Sequence, residues 1–270
     1  MRNILTALNK AKKLVAPLME RDGRRSYTVV AWNEKDTRSL PDAVDAMREL
    51  HMPDIIVVHG HLVLTLGYGQ TRKSYGPNNI YALAKDGDYV QTMGQAVDAI
   101  RELASLKVPA ALALSVSMSS YSYELANYKQ GRLNDPKLFL DCEYDRNEPY
   151  TGIKYYCRRP GDALYHRVDY NSTYHFKTVY DPKHGHVHIW DTEGSLRTKL
   201  CSIKRNSTDI HYSLALYNVE NEDHGNECAY DNWFGAYSRA QMVRMLGEFF
   251  WERFRTPEDE ANCLVLGEEY

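Results

Sequence analysis

Read as a string of apolar and polar positions, the chain repeats itself once and then changes period. Apolar residues near its start recur every three or four positions, as an amphipathic helix requires. The run "YTVVAW" (27–32) follows, then a helical stripe of Val44, Met47 and Leu50, then "DIIVVHGHLVLTL" from Asp54. The same order returns downstream as "NIYALA" (79–84), the stripe Val97, Ile100 and Leu103, and "VPAALALSVSM" from Val108. The two stripes sit in nearly identical octapeptides, AVDAMREL from Ala43 and AVDAIREL from Ala96, which agree at seven of eight positions. Ser39 with Asp42, and Thr92 with Gln95, stand before them at capping-box spacing. Strand, helix and strand in this order predict two β-α-β units on one sheet.

From Leu138 the helical period gives way to runs rich in Tyr, Val, Ile and Thr. They are separated by the turn clusters "DRNEP", "RRPGD", "YNST", "DPKHG", "DTEG" and "KRNSTD". That spacing predicts an antiparallel meander. A last helix is expected from Ser238, capped by Ser238 and Gln241, with Met242, Leu246, Phe249, Phe250 and Phe254 on one stripe. The fold class is therefore α+β: duplicated β-α-β units on a mixed sheet, an antiparallel β-rich half and a C-terminal amphipathic helix. Residues 1–130 and 131–270 are read as two domains.

Composition adds a bias toward surfaces. The 270 residues are 43% hydrophobic and 26% charged with a net charge of −3, which excludes a wholly basic nucleic-acid binder. Twenty-one tyrosines against six phenylalanines suit half-wet faces. Five cysteines without a CxxC pair read as reduced thiols. With no apolar leader core and no run long enough to span a bilayer, the expected location is cytoplasmic. The sequons at Asn171 and Asn206 carry weight only on a secretory route.

Charge is segregated. Residues 154–205 hold ten Lys/Arg against five acids, and residues 206–235 hold six acids and no Lys/Arg. Lys154, Tyr155, Tyr156, Arg158, Arg159 and Arg167 form a basic, tyrosine-threaded candidate surface for single-stranded nucleic acid. Phe249, Phe250, Trp251 and Phe254 are the candidate interface of the last helix, for a protein partner or for self-association.

The one concentration of metal-ligand chemistry is "KHGHVHIW". After the Asp181-Pro182 turn, alternation puts His186, His188 and Trp190 on an outward face and Val187 and Ile189 in the core. His186 and His188 can converge on one divalent ion, with Glu193 five residues beyond. The H-x-H-x4-E spacing resembles the first metal motif of the cupins across these eight residues. Tyr180 and Leu200 stand where that family has glycine, and His211 lacks an asparagine four residues on. His211, Cys201 and the pair His59 and His61 are the candidates for further ligands. No nucleophile elbow, Walker loop, dinucleotide fingerprint or zinc-finger spacing occurs. The favoured reading is a non-enzymatic interaction protein that docks on a macromolecule, alone or as a homo-oligomer. Single-stranded nucleic-acid binding and a metal-dependent hydrolase using His186, His188 and Glu193 are its alternatives.

Overall fold

A computed structural model describes residues 1–33, 37–61, 72–80, 92–125, 141–143, 150–155, 157, 168–181, 185–229 and 232–268. In chain order it runs through α1 (Arg2–Arg21), β1 (Val29–Trp32), α2 (Leu40–Leu50), β2 (Ile55–Val58) and β3 (Arg72–Lys73). Next come α3 (Met93–Ser105), β4 (Ala111–Ser117), β5 (Ser120–Leu125), β6 (Asp141–Glu143), β7 (Tyr150–Thr151) and β8 (Val168–Asn171). The last elements are β9 (Phe176–Asp181), β10 (His186–Trp190), α4 (Glu193–Arg205), β11 (Ser213–Tyr217), α5 (Ser238–Glu252) and α6 (Glu260–Leu264).

The strands form two sheets. One is parallel, in the order β1-β2-β4-β11; the other is antiparallel, in the order β3-β6-β5-β10-β9-β8, with β7 paired to β5. This is the mixed α+β architecture that the periodicity predicts, and the repeat is real at the level of packing. Helix α2 buries Leu40, Ala43, Val44, Ala46 and Met47. Helix α3 buries the equivalent Met93, Ala96, Val97, Ala99 and Ile100, and Leu103 besides. Both stripes rest on Ile56, Val58, Leu114 and Val116 of the parallel sheet in one core.

Of the expected caps, Thr92 and Gln95 form a full capping box on α3. The other two do not form. Ser39 closes a 3-10 turn in helical geometry (φ −84°, ψ −8°) and makes no side-chain cap, because an N-cap needs extended φ/ψ to turn its hydroxyl back. The Ser238 hydroxyl instead accepts the Phe234 N–H at 2.8 Å, and Gln241 donates to the Phe234 and Ala236 carbonyls.

The largest departure lies in residues 192–217, expected as meander. Thr192 and Ser195 form a capping box, and "DTEG" opens α4. Leu196, Leu200 and Ile203 supply its apolar stripe at helical spacing. The strand after it, β11, pairs in parallel with β4 from Ser213↔Ala113 to Tyr217↔Ser117. The second half of the chain thus supplies the fourth strand of the first half's sheet.

Four of the five cysteines are oxidised, correcting the expectation of reduced thiols. Cys157 is bonded to Cys228, and Cys201 in α4 to Cys263 in α6; Cys142 is free and buried. Bridges spanning 71 and 62 residues each stabilise a fold by about 2–5 kcal/mol. Such bridges form and persist in oxidising compartments, which runs against the expected cytoplasmic location. No helix among the described residues is long and apolar enough to cross a membrane.

The two sheets are joined by a buried polar weld. Asp191, at the end of β10, accepts from Lys199 Nζ at 2.6 Å, Ser195 Oγ at 2.7 Å and Asn78 Nδ2 at 2.9 Å. Asn78 in turn bonds both the N–H and the carbonyl of Ser117, the last residue of β4. Arg239 of α5, fully buried, pairs with Glu222 at 2.6 Å and donates to the Met118 carbonyl at 2.7 Å.

Candidate functional site

In an open parallel sheet or barrel, ligand chemistry collects at the carboxyl ends of the strands. Here β2 runs out into His59-Gly60-His61, β4 ends at Ser117 and β11 ends at Tyr217. One face of the sheet carries the small residues Ala111, Ala113, Ser115 and Ser117 on β4. Side chains from β2 and β11 therefore meet above that strand. His59 Nε2 lies 3.2 Å from the Tyr217 hydroxyl, and His61 Nδ1 lies 2.6 Å from Ser115 Oγ. The three ring centroids are 4.8–5.1 Å apart.

Gly60 makes this approach possible. A Cβ there would stand 2.5 Å from Leu114 Cδ1 and 3.0 Å from the Ser115 carbonyl oxygen, inside contact distance for any real side chain. Its N–H donates to Ser115 Oγ at 2.9 Å. The H-G-H motif is thus held against β4 by one hydroxyl that serves both neighbours.

The cluster is polar but uncharged at neutral pH. Burial, helped by the neighbouring His59, lowers His61 to about 3. Burial also lowers His59 and raises the Tyr217 phenol. Neutral imidazoles and a phenol suit a hydroxyl-rich, uncharged ligand better than an anion.

The loop after β11 leaves the sheet at the same end as Tyr217. Its Trp233 ring is 56% exposed, yet its backbone is fixed: both Glu193 carboxylate oxygens accept the Trp233 N–H, at 3.0 and 3.2 Å. The Arg197 guanidinium sits 5.2 Å from the indole centroid. Tyr237, 44% exposed, lies beside His224. Asp223 accepts the N–H groups of Glu227 and Cys228 and a proton of Asn232, so the loop is tied down on both sides of the Cys157–Cys228 bridge. An exposed aromatic ring on a clamped backbone loses little freedom when a ligand stacks on it.

The residues singled out in the sequence fall elsewhere. His186 is half-buried and His188 is 8% exposed, and Trp190 is wholly buried. Strand β10 is thus covered on both faces: Val187 and Ile189 pack with Tyr121, Tyr123 and Phe176, and Trp190 packs with Ile153, Val179 and Cys228. Glu193 points at Trp233. Cys201 is in a disulfide, and the His211 ring lies against Trp251. Among the described residues no group of three or more His, Cys, Asp or Glu side chains is arranged to hold a metal.

In the expected nucleic-acid surface, Lys154 is half-buried in a 3-10 turn that also includes Tyr155. Tyr156, Arg158, Arg159 and Arg167 lie outside the described residues. Three further cations of residues 154–205 are inside the protein rather than on a sheet face. Arg197, Lys199 and Lys204 are buried on α4, Lys204 donating to the carbonyls of Ser207 and Ile210. Phe249 and Phe250 of α5 and Phe254 just beyond it are core residues, and of the four candidate interface aromatics only Trp251 is exposed.

Sequence reasoning noted His59 and His61 but missed Tyr217, Trp233 and Tyr237. For Tyr217 the available signal was position, since it closes the apolar run of β11; Trp233 and Tyr237 sit in a polar stretch with no such signal.

No protein-family model matches the chain, and no curated protein matches it by sequence. Solved structures do match in fold. An immunomodulatory active chitinase from Trichuris suis superposes with a TM-score of 0.62 at 11% identity, over 91% of this chain and 65% of that one. A class V chitinase from Nicotiana tobaccum, solved with NAG4, gives 0.54 at 14% identity, over 89% and 63%. A chitinase-like agglutinin from Robinia pseudoacacia gives 0.51 at 14% identity, over 89% and 61%. The chain therefore spans less than two thirds of each of these proteins. The likeness overturns the expected docking protein together with its nucleic-acid and metal-hydrolase alternatives: the architecture is that of chitinases and a chitinase-like lectin.

Proposed function

We propose that this chain is a secreted, chitinase-fold protein that binds β-linked N-acetylglucosamine oligosaccharides at the carboxyl ends of its parallel strands. The observation that carries the reading is the neutral His59/His61/Tyr217 cluster at the strand ends, and the pinned, exposed Trp233 in the loop after β11 supplies a further aromatic face. Sugar rings present apolar C–H faces to aromatic rings and hydroxyls to imidazole and phenol groups, and both kinds of partner are here. The neighbours solved with chitin oligomers or named as an agglutinin support the ligand class.

Glycosidic cleavage needs carboxyl groups at the bond. Among the described residues next to the strand ends, Asp191 and Glu222 are each bonded to a buried cation. Glu193 and Asp223 accept backbone N–H groups, while Glu220 is exposed just past β11, so binding is the activity proposed and cleavage is a separate outcome of the test.

Titration calorimetry with tetra- and penta-N-acetylchito-oligosaccharides tests the reading. Saturable binding is expected, weakened about tenfold by Trp233→Ala or Tyr217→Ala, the loss of one stacked ring at about 1–1.5 kcal/mol. Absence of binding to these sugars and to particulate chitin would sink it. Product analysis by mass spectrometry on the same mixtures separates binding from cleavage.

A further inference from the structure

The two disulfides change the meaning of a motif that the active surface does not use. Asn206-Ser207-Thr208 is an acceptor sequon for N-linked glycosylation, and the bridges imply the oxidising route on which such acceptors are modified. Asn206 is the C-cap of α4 and is exposed. Its backbone is fixed, with the N–H donating to the Ile203 carbonyl at 3.2 Å and its own carbonyl accepting from Arg101 at 3.1 Å. Arg101 also holds Asp209 through two contacts, at 2.9 and 3.3 Å. The corner is rigid and the carboxamide stands outside it.

We infer that Asn206 carries an N-linked glycan. In the transfer, Asn206 Nδ2 forms a bond to the anomeric carbon of an N-acetylglucosamine. The bond from that carbon to its lipid pyrophosphate carrier breaks, the pyrophosphate leaves with the electron pair, and the amide gives up one proton. The position is compatible with the folded chain. Residues 206–212 lead into the amino end of β11, whereas Tyr217 marks the carboxyl end. The five residues of that strand put roughly 15 Å between the glycan and the aromatic cluster. The attached sugar therefore lies on the side away from the ligand site.

The inference rests on the disulfides and on the exposure of Asn206, not on ligand binding by the cluster. Its test is the full chain, secreted behind an added leader from eukaryotic cells and carrying Asn171→Gln to remove the other sequon. Intact mass before and after an amide-cleaving endoglycosidase should differ by one N-glycan, with Asn206 converted to labelled aspartate in heavy-oxygen water. Adding Asn206→Gln, or independently Thr208→Ala, should abolish the difference while the thermal unfolding temperature stays within a few degrees. Secreted, folded Asn171→Gln protein with unmodified Asn206 would overturn the assignment.

Discussion

Asp191→Ala should cost about 3–5 kcal/mol of stability, read as a lower denaturant midpoint, because it strands a fully buried ammonium. Both partners are wholly inaccessible. Burial pushes Lys199 down to about 8, against the pull of Asp191, so the lysine keeps its proton at neutral pH. The ammonium also donates to the Asn78 carbonyl at 2.7 Å and lies 3.4 Å from the centroid of the Phe176 ring. Those contacts cannot replace a carboxylate in a dry interior. Replacing both partners with apolar residues of similar size, Asp191→Leu with Lys199→Met, should cost less than either single change. If the single variants unfold at the wild-type midpoint, the weld is not what holds the sheets together.

Acid should destabilise the protein through His61 well above the range where carboxylates titrate. The folded imidazole takes up a proton only near pH 3, while in the unfolded chain it does so near 6.5. Between those values the unfolded state binds the additional proton, so stability is complete above pH 6.5 and is lost as pH falls toward 3. At 1.36 kcal/mol per pH unit the full loss is on the order of 3–5 kcal/mol. His59, lowered by burial, adds in the same direction. Urea unfolding at pH about 7 and about 4 should show most of this difference in the wild type, and His61→Gln should remove it. The glutamine keeps a polar group near Ser115 without a titrating one. A wild type equally stable at both pH values would contradict this placement of the imidazole.

How much of this was legible in the sequence depended on whether a local pattern had one physical solution. The octapeptides at Ala43 and Ala96 did for the helices, which lay equivalent apolar positions on the parallel sheet, although Asn79 and Ile80, from the run expected as a strand before the second helix, are not in one and residues 81–84 lie outside the described residues. Residues 192–205 did not. Thr192 and the stripe Leu196, Leu200, Ile203 signal a helix, but Gly194 and the flanking polar clusters signal turns, and only packing on the core decides between them. The exposed face assigned to His186, His188 and Trp190 failed for a different reason. Alternation locates the two sides of a strand, but says nothing about whether distant segments such as those of Ile153 and Cys228 cover the second one. The cysteine pairs lie far apart in sequence and close only through the fold. The candidate site was half visible. His59 and His61 ended an apolar run, as ligand groups do, but Tyr217 joins them across β4, a contact between residues 158 positions apart.

The weld also bears on how the protein comes apart. Asn78, Asp191 and Lys199 close one loop of bonds, and Asn78 ties it to Ser117 of the parallel sheet, so neither sheet can melt while leaving the other its native partners. Heating should accordingly give a single calorimetric transition, with matching calorimetric and van't Hoff enthalpies, although the molecule is built from two sheets of opposite character. Two separate transitions would mean that each sheet keeps its own cooperative core.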